Sequence, residues 1–286
     1  MRVVICGAEG QLGADLVEVF RAGGDEVLPF DLDLDITDHG EVMERIPPLR
    51  PDLLVNAAAH TDLDGAELDP EPSIKVNFTG AQNLALACLE ADCPMAFLST
   101  DYVFDGRKGS AYDELDPVNP QGVYARSKLA AERYISSILN RHYIFRTQWL
   151  FGKAGKRNFV KSILRNAKEK GSLRVVTDEV GTPTYARDLA EIVRRVCLSG
   201  KYGLYHATNA GVCSRFEFAR QILEAAGWSG IAVEPIVYAD LDLPCPRPPY
   251  SPLDNLNLRL QGFPPARHYL EPLREYVAWL LENGLI

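Results

Sequence analysis

The chain has 286 residues, 47% of them hydrophobic and 24% charged, with a formal net charge of −9. This composition suits one large globular domain, or a domain with a small lobe, and excludes a disordered chain. The acidic balance repels phosphate backbones and argues against a nucleic-acid partner.

No stretch approaches the ~20 apolar residues of a membrane-spanning helix. Met1-Arg2 runs directly into a short apolar run that ends at Gly7, so neither a membrane partner nor a leader peptide is expected. The six cysteines form no C-x-x-C pair, and no histidine stands beside them at zinc-ligand spacing. They read as free thiols in a cytoplasmic protein without a metal centre.

In chain order, short apolar runs alternate with amphipathic stretches. The pattern predicts strands over 2–6, 26–30, 53–56, 95–99 and 143–146. Helices are predicted over 11–22, 41–46, 72–91 and 124–139. Pro47-Pro48 stops the second helix. Strands separated by helices pair in parallel with right-handed crossovers. The expected class is therefore α/β, a doubly wound Rossmann-like sheet.

The second half predicts helices over 158–170, 186–199, 216–226 and 270–282, the last at the surface. Strands are predicted over 173–176 and 204–207, with an ordered proline-rich loop over 235–252. No linker divides the chain, so a smaller lobe should be interleaved with the first domain. Residues 1–150 are expected to form the dinucleotide-binding domain, with return segments at about 173–210 and 232–240. Residues 151–172, 211–231 and 241–286 are expected to form the substrate-binding lobe.

The first strand runs into Gly7-Ala8-Glu9-Gly10-Gln11-Leu12-Gly13, and a helix follows. Glycines at this spacing permit a tight turn, a close approach to a pyrophosphate and close helix–strand packing. The helix N-terminus adds free N–H groups and a positive dipole end. A glycine turn without a ligand is the plain alternative, but the strand–loop–helix context is what dinucleotide binding requires. Asp31 ends the second strand, where a carboxylate can bond the adenosine ribose and repel a 2′-phosphate. Asp33, Asp35 and Asp38 crowd the same stretch, so a merely solvated acidic loop is its alternative.

Tyr124 and Lys128 stand at i and i+4 of a predicted helix and share one face. A free phenol has a pKa of about 10. A nearby ammonium would lower it and suit the phenol to proton exchange. The lysine can also bond a cofactor ribose.

The chain resembles the extended short-chain dehydrogenase/reductase family, most of all its dTDP-4-dehydrorhamnose reductase branch. The matching stretches are GAEGQLG at 7–13, DITD at 35–38, VNAAAHTDLDGAE at 55–67 and STDYVFDG at 99–106. They continue with YARSKLAAE at 124–132, FRTQWLFG at 145–152, NFVK at 158–161, GTPT at 181–184, GLYH at 203–206 and RPPYSPL at 247–253. The resemblance implies that Thr100 bonds the substrate carbonyl beside Tyr124 as proton donor, and that Asp101 and Tyr102 shape the pocket. It implies Trp149 as a wall for the sugar and Arg247 at the substrate diphosphate. Asp35 and Ile36 would border the adenine, and Ala57, Ala58, Ala59 and Thr61 would line the cofactor path. NADPH or NADH is the implied cofactor, a nucleotide sugar the substrate, and a homodimer the implied assembly.

Ala125 and Gln148 depart from the family's usual glycine and serine, and Gln148 flanks the sugar pocket. The implied reaction is reduction of the C4 ketone of dTDP-4-dehydro-6-deoxy-L-mannose. The rivals are another nucleotide-linked 4-keto sugar as substrate, or a non-catalytic regulatory role like that of the methionine adenosyltransferase beta subunit. The complete Thr100, Tyr124 and Lys128 set weighs against the second. The acidic run Asp62, Asp64, Glu67 and Asp69 reads as a solvated helix start, and the five histidines as structural residues.

Overall fold

Val3, Val4 and Ile5 are fully buried because β1 (Arg2–Cys6) runs inside a sheet with a parallel neighbour on each side. The computed structural model describes residues 1–155 and 157–286. The other strands of four or more residues are β2 (Glu26–Phe30), β3 (Leu53–Asn56), β4 (Met95–Thr100), β5 (His142–Thr147), β6 (Ser172–Val176), β7 (Gly203–His206) and β8 (Ala232–Ile236). Six of them form one parallel sheet in the order β7-β5-β4-β3-β1-β2.

The helices are α1 (Gly13–Ala22), α2 (His39–Arg45), α3 (Leu63–Leu68), α4 (Pro70–Ile74), α5 (Ala81–Glu90) and α6 (Val123–Ile138). They continue with α7 (Phe159–Lys170), α8 (Ala186–Ser199), α9 (Arg215–Ala225), α10 (Leu256–Leu260) and α11 (Leu270–Glu282). Side chains alternate across a strand, so β1 feeds two cores. Val3 and Ile5 pack with Leu16 and Phe20 of α1 and Leu189 and Val193 of α8. Val4 and Cys6 pack on the other face with Leu84 and Cys88 of α5 and Ile135 of α6. All six cysteines are buried free thiols. No helix is long and apolar enough to cross a membrane.

Two sequence expectations need correction. The helix expected over 72–91 starts earlier, at Pro70, and is interrupted by a π-helical segment, Lys75–Gly80, between α4 and α5. Within the segments at about 173–210 and 232–240 that were expected to return to the first domain, β6 and β8 do not do so. They pair with each other instead, in a separate parallel ribbon. Only β7 joins the large sheet. The reason is packing: Leu173 and Val175 of the ribbon point into a third core with Val160 and Leu164 of α7 and Phe218 and Ile222 of α9. α11 packs at the surface as expected, with Arg274, Glu275 and Ala278 exposed and Leu273, Tyr276 and Val277 of its other face buried in that same core.

The glycine loop is packed as tightly as its spacing suggested. Gly7 adopts φ +77°, and a Cβ there would lie 2.5 Å from the Ala58 nitrogen. A Cβ on Gly13 would lie 1.9 Å from the Gly7 carbonyl oxygen. Overpacking typically costs ~1–3 kcal/mol. Gly13→Ala should therefore lower the melting temperature and weaken dinucleotide binding together. A variant with both unchanged would show that the helix can move away from the loop at no cost.

Candidate active site

The chain runs from β1 to β2 on one side and then crosses to β3 on the other, so the sheet order reverses beside β1. Open parallel sheets bind ligands at the carboxyl ends of strands at such a point. Here the loop after β1 meets the segment after β3: Ala57 N–H donates to the Cys6 carbonyl at 2.9 Å. The end of β2 is tied to the same loop. Glu9 N–H donates to Asp31 Oδ2 at 2.8 Å, and Ala8 N–H to the Phe30 carbonyl at 3.0 Å.

A cleft of ≈ 440 Å³ opens over these strand ends. Gly10, Gln11 and Leu12 line it from the glycine loop, and Ala57, Ala59 and Thr61 from the segment after β3. Thr100, Asp101 and Tyr102 follow β4, Tyr124 and Lys128 stand on α6, and Trp149 follows β5. Residues from five separate stretches, expected at one site, are thus on one wall. Trp149 is held at φ +47°, a left-handed conformation that costs a bulky residue energy.

Other expected residues are not on that wall. Gly7, Gly13 and Ala58 form the packed floor of the loop. Asp31 faces Glu9, and Asp35 accepts from Thr37 N–H and hydroxyl. Ile36 is buried, its carbonyl held by Asn83 at 2.9 Å. Arg247 lies in a neighbouring hollow with Glu179 and Tyr238, its Nη2 on Asp64 Oδ2 at 2.8 Å. The segment 62–69 is more structured than a solvated helix start. Asp62 caps α3, Asp69 caps α4, Asp64 holds Arg247, and Glu67 accepts from Val123 N–H at the start of α6. Among the described residues, no group of three or more His, Cys, Asp or Glu is placed to hold a metal ion.

Charge in the cleft is governed by burial. Desolvation pushes the Tyr124 phenol up to about 12, with Thr100 pulling it down and Asp101 adding to the rise. This corrects the expectation that Lys128 lowers it: desolvation outweighs the other influences. Burial, opposed by Glu132, brings the Lys128 ammonium down to about 7. Lys128 is 2% exposed, its Nζ 4.1 Å from the Phe97 ring centroid. Asp101 is pushed up to about 7, again by burial, against the bonds it accepts from Ser251 Oγ at 2.6 Å and Thr100 Oγ1 at 3.2 Å. The neutral phenol is the form that can give a proton to a developing alkoxide.

Sequence reasoning missed Arg157, Arg215, Thr147 and Leu63 on the cleft wall. Arg215 and Leu63 begin helices whose positions only the tertiary fold sets. Gln148, noted as a departure, is a brace. Its Oε1 accepts from Thr182 N–H at 2.9 Å, and its Nε2 donates to the Ser251 carbonyl at 3.0 Å. Gly181 makes room for it, since a Cβ there would lie 2.5 Å from Gln148 Oε1.

Comparison with known proteins covers nearly the whole chain. The family described as RmlD substrate binding domain matches residues 1–281. The chain belongs to the RmlD family. A Mycobacterium tuberculosis dTDP-4-dehydrorhamnose reductase is 40% identical over 283 residues, covering 97% of this chain and 92% of that one. Among solved structures, the Clostridium acetobutylicum dTDP-4-dehydrorhamnose reductase is similar with a TM-score of 0.95 at 37% identity, covering 98% of this chain and 100% of that one. The Bacillus anthracis dTDP-4-dehydrorhamnose reductase, solved in complex with NADP, has a TM-score of 0.94 at 36% identity, covering 97% and 99%. As in those RmlD-family relatives, the parallel sheet with helices on both faces is an extended short-chain dehydrogenase/reductase fold.

Proposed function

We infer that this protein reduces the C4 ketone of dTDP-4-dehydro-6-deoxy-L-mannose to dTDP-L-rhamnose in the cytoplasm, with NADPH or NADH as reductant. The observation that carries the reading is the convergence of Thr100, Tyr124 and Lys128 in one cleft at the sheet's reversal point. The three-layered segment 1–150 with β7 holds the dinucleotide. The ribbon and helices of the third core form the substrate lobe.

The glycine loop fits a dinucleotide. Its backbone is closed on the Ala58 side, while a Cβ on Gly10 would meet only the Gly7 carbonyl oxygen, at 3.1 Å. Gly10, Gln11 and Leu12 would hold the pyrophosphate at the start of α1, and Lys128 the nicotinamide ribose. A bound reduced nicotinamide would supply hydride to the ketone carbon. The Tyr124 phenol donates to the ketone oxygen, stabilising the charge that grows there, and gives up its proton; Thr100 Oγ1, whose single proton goes to Asp101 in the structure, would turn it to the same oxygen. Lys128 then offsets the phenolate left behind. Asp101 orients Thr100 through their hydrogen bond.

The test is oxidation of NADPH by purified protein with a panel of nucleotide-linked 4-keto sugars. The dTDP-linked 6-deoxy-L-lyxo-4-hexulose should give the highest kcat/KM. No turnover with any member would overturn the reading. A different best sugar would support the sister specificity, for which Gln148 at the wall is the structural pointer. The homodimer belongs to the same proposal and is read by light scattering.

Cofactor choice turns on the end of β2. Asp31 is beside the glycine loop, as a ribose-binding acid requires. Arg45, however, reaches back to it: its guanidinium pairs with Asp33 and Glu41 and covers the Phe30 ring at 5.0 Å. A guanidinium near a 2′-phosphate offsets the repulsion that the sequence alone suggested. Like charges a few Å apart near a surface cost on the order of a kcal/mol or more. Asp31→Ala should thus raise kcat/KM for NADPH relative to NADH by roughly tenfold. A ratio unmoved by the substitution would place Asp31 away from the ribose.

A further inference from the structure

Arg215 is the first residue of α9, just after the capping Ser214. Its guanidinium carbon lies 3.6 Å from the Trp149 ring centroid and 4.9 Å from that of Phe159. Its Nε donates to Glu179 Oε1 at 3.0 Å, and its backbone N–H donates to the Glu179 carbonyl at 3.0 Å. Two aromatic plates and one carboxylate therefore fix the plane and the direction of the fork. The Nη groups make no hydrogen bond among the described residues, and the residue lies on the cleft wall.

A guanidinium normally loses rotamer freedom on binding. This one is already ordered, with its outer N–H groups unused. Such a fork suits phosphate oxygens spaced for two parallel bonds. Glu179 balances the Arg215 charge, and Arg157 on the same wall adds a second cation. Arg215 also occupies one face of the Trp149 ring, so that face does not meet a sugar. Arg247 differs in its place and in one arm, although its Nη1 is also without a hydrogen bond among the described residues. Its Nη2 is on Asp64, and it lies in the adjoining hollow.

We propose that Arg215, assisted by Arg157, is the diphosphate anchor of the nucleotide-sugar site, in place of Arg247. The proposal rests on the nucleotide-sugar reading above but is tested without turnover. Titration calorimetry with dTDP, and with thymidine as the phosphate-free control, is run on wild type, Arg215→Met, Arg215→Lys and Arg247→Met. NADPH affinity serves as the control for folding.

Arg215→Met should weaken dTDP binding about ten- to hundredfold, the usual scale for a lost charge-assisted contact. Thymidine and NADPH affinities should not move. Arg215→Lys keeps the charge, loses the fork, and should fall between. Arg247→Met should bind dTDP like wild type. In turnover, Arg215→Met should raise KM for the keto sugar more than it lowers kcat.

Equal dTDP affinity in wild type and Arg215→Met overturns the proposal, as does a loss confined to Arg247→Met or a wild type that does not bind dTDP. Arg215-dependent dTDP binding in a protein that reduces no keto sugar upholds the anchor and sinks the activity instead.

Discussion

Tyr124→Phe is expected to keep dinucleotide affinity and to lose most turnover, ~10²–10⁴-fold, the usual share of general acid catalysis. The ring packs edge-on to Tyr102 at 6.0 Å between centroids, a contact phenylalanine retains. What is lost is the proton that this residue would give to the ketone oxygen. The phenol, pushed up to about 12, stays protonated across the neutral range, so reduction should not need a tyrosinate at any working pH. The measurement is kcat with saturating cofactor beside a dinucleotide titration. Undiminished kcat in the variant would assign the proton to another donor, with Asp101 the next to examine.

The second large effect is expected away from the reacting atoms. Glu132 lies one turn beyond Lys128 on α6 and is 4% exposed. Arg146 of β5 grips it, Nη2 to Oε2 at 2.7 Å and Nε to Oε1 at 3.0 Å, and Ser99 of β4 donates to Oε1 at 2.5 Å. Arg146→Met leaves that carboxylate buried with one hydroxyl partner. Removing one member of a buried pair typically costs about 3–5 kcal/mol, visible in chemical denaturation.

The double variant Arg146→Met with Glu132→Leu replaces the pair by apolar volume and should recover most of that stability. It should not recover activity. Glu132 is what opposes the burial of Lys128, so without it the ammonium titrates below about 7. The lysine's charge is then lost at a lower pH, and the alkaline limb of kcat/KM should move toward acid. Recovery of activity along with stability would reduce Glu132 to a structural role.

The parts of the site legible in the sequence are those written locally. Gly7, Gly10 and Gly13 declare a loop because their spacing is itself the geometry, and Tyr124 and Lys128 share a face because four residues make about one helical turn. The place of Asp31 directly after β2 was legible too, and the structure sets it against the glycine loop. The parts that were hidden are made by distant pieces of chain. Arg45 folds back to Asp33 across 12 residues, and Glu67 reaches Val123 across 56. Arg215 gains its meaning from Trp149, Phe159 and Glu179, which come from three other segments. The ribbon of β6 and β8 was assigned to the wrong body because a strand pattern says nothing about which strand it will pair with. Lys128's depressed basicity was likewise invisible, since the sequence shows the ammonium and not the depth at which it is buried.

The π-helical segment Lys75–Gly80 has a consequence for how this gene can vary. Asn77 within it donates from Nδ2 to the His60 carbonyl at 3.0 Å and to Ser127 Oγ at 3.2 Å, so it clips the segment after β3 to the stretch of α6 between Tyr124 and Lys128. Each helical residue advances the chain by about 100°. A π turn holds about one residue more than an α turn, so deleting one residue from the segment would restore ordinary winding and leave α4 and α5 facing as they do now. What would go is the wide turn that presents Asn77 to both His60 and Ser127, while Leu84 and Cys88 kept their seats in the core. A single-codon deletion here should therefore spare the fold and loosen α6, whereas an equal deletion in the exposed turn at Gly227, where an added Cβ would meet nothing within 4 Å, should leave α6 untouched.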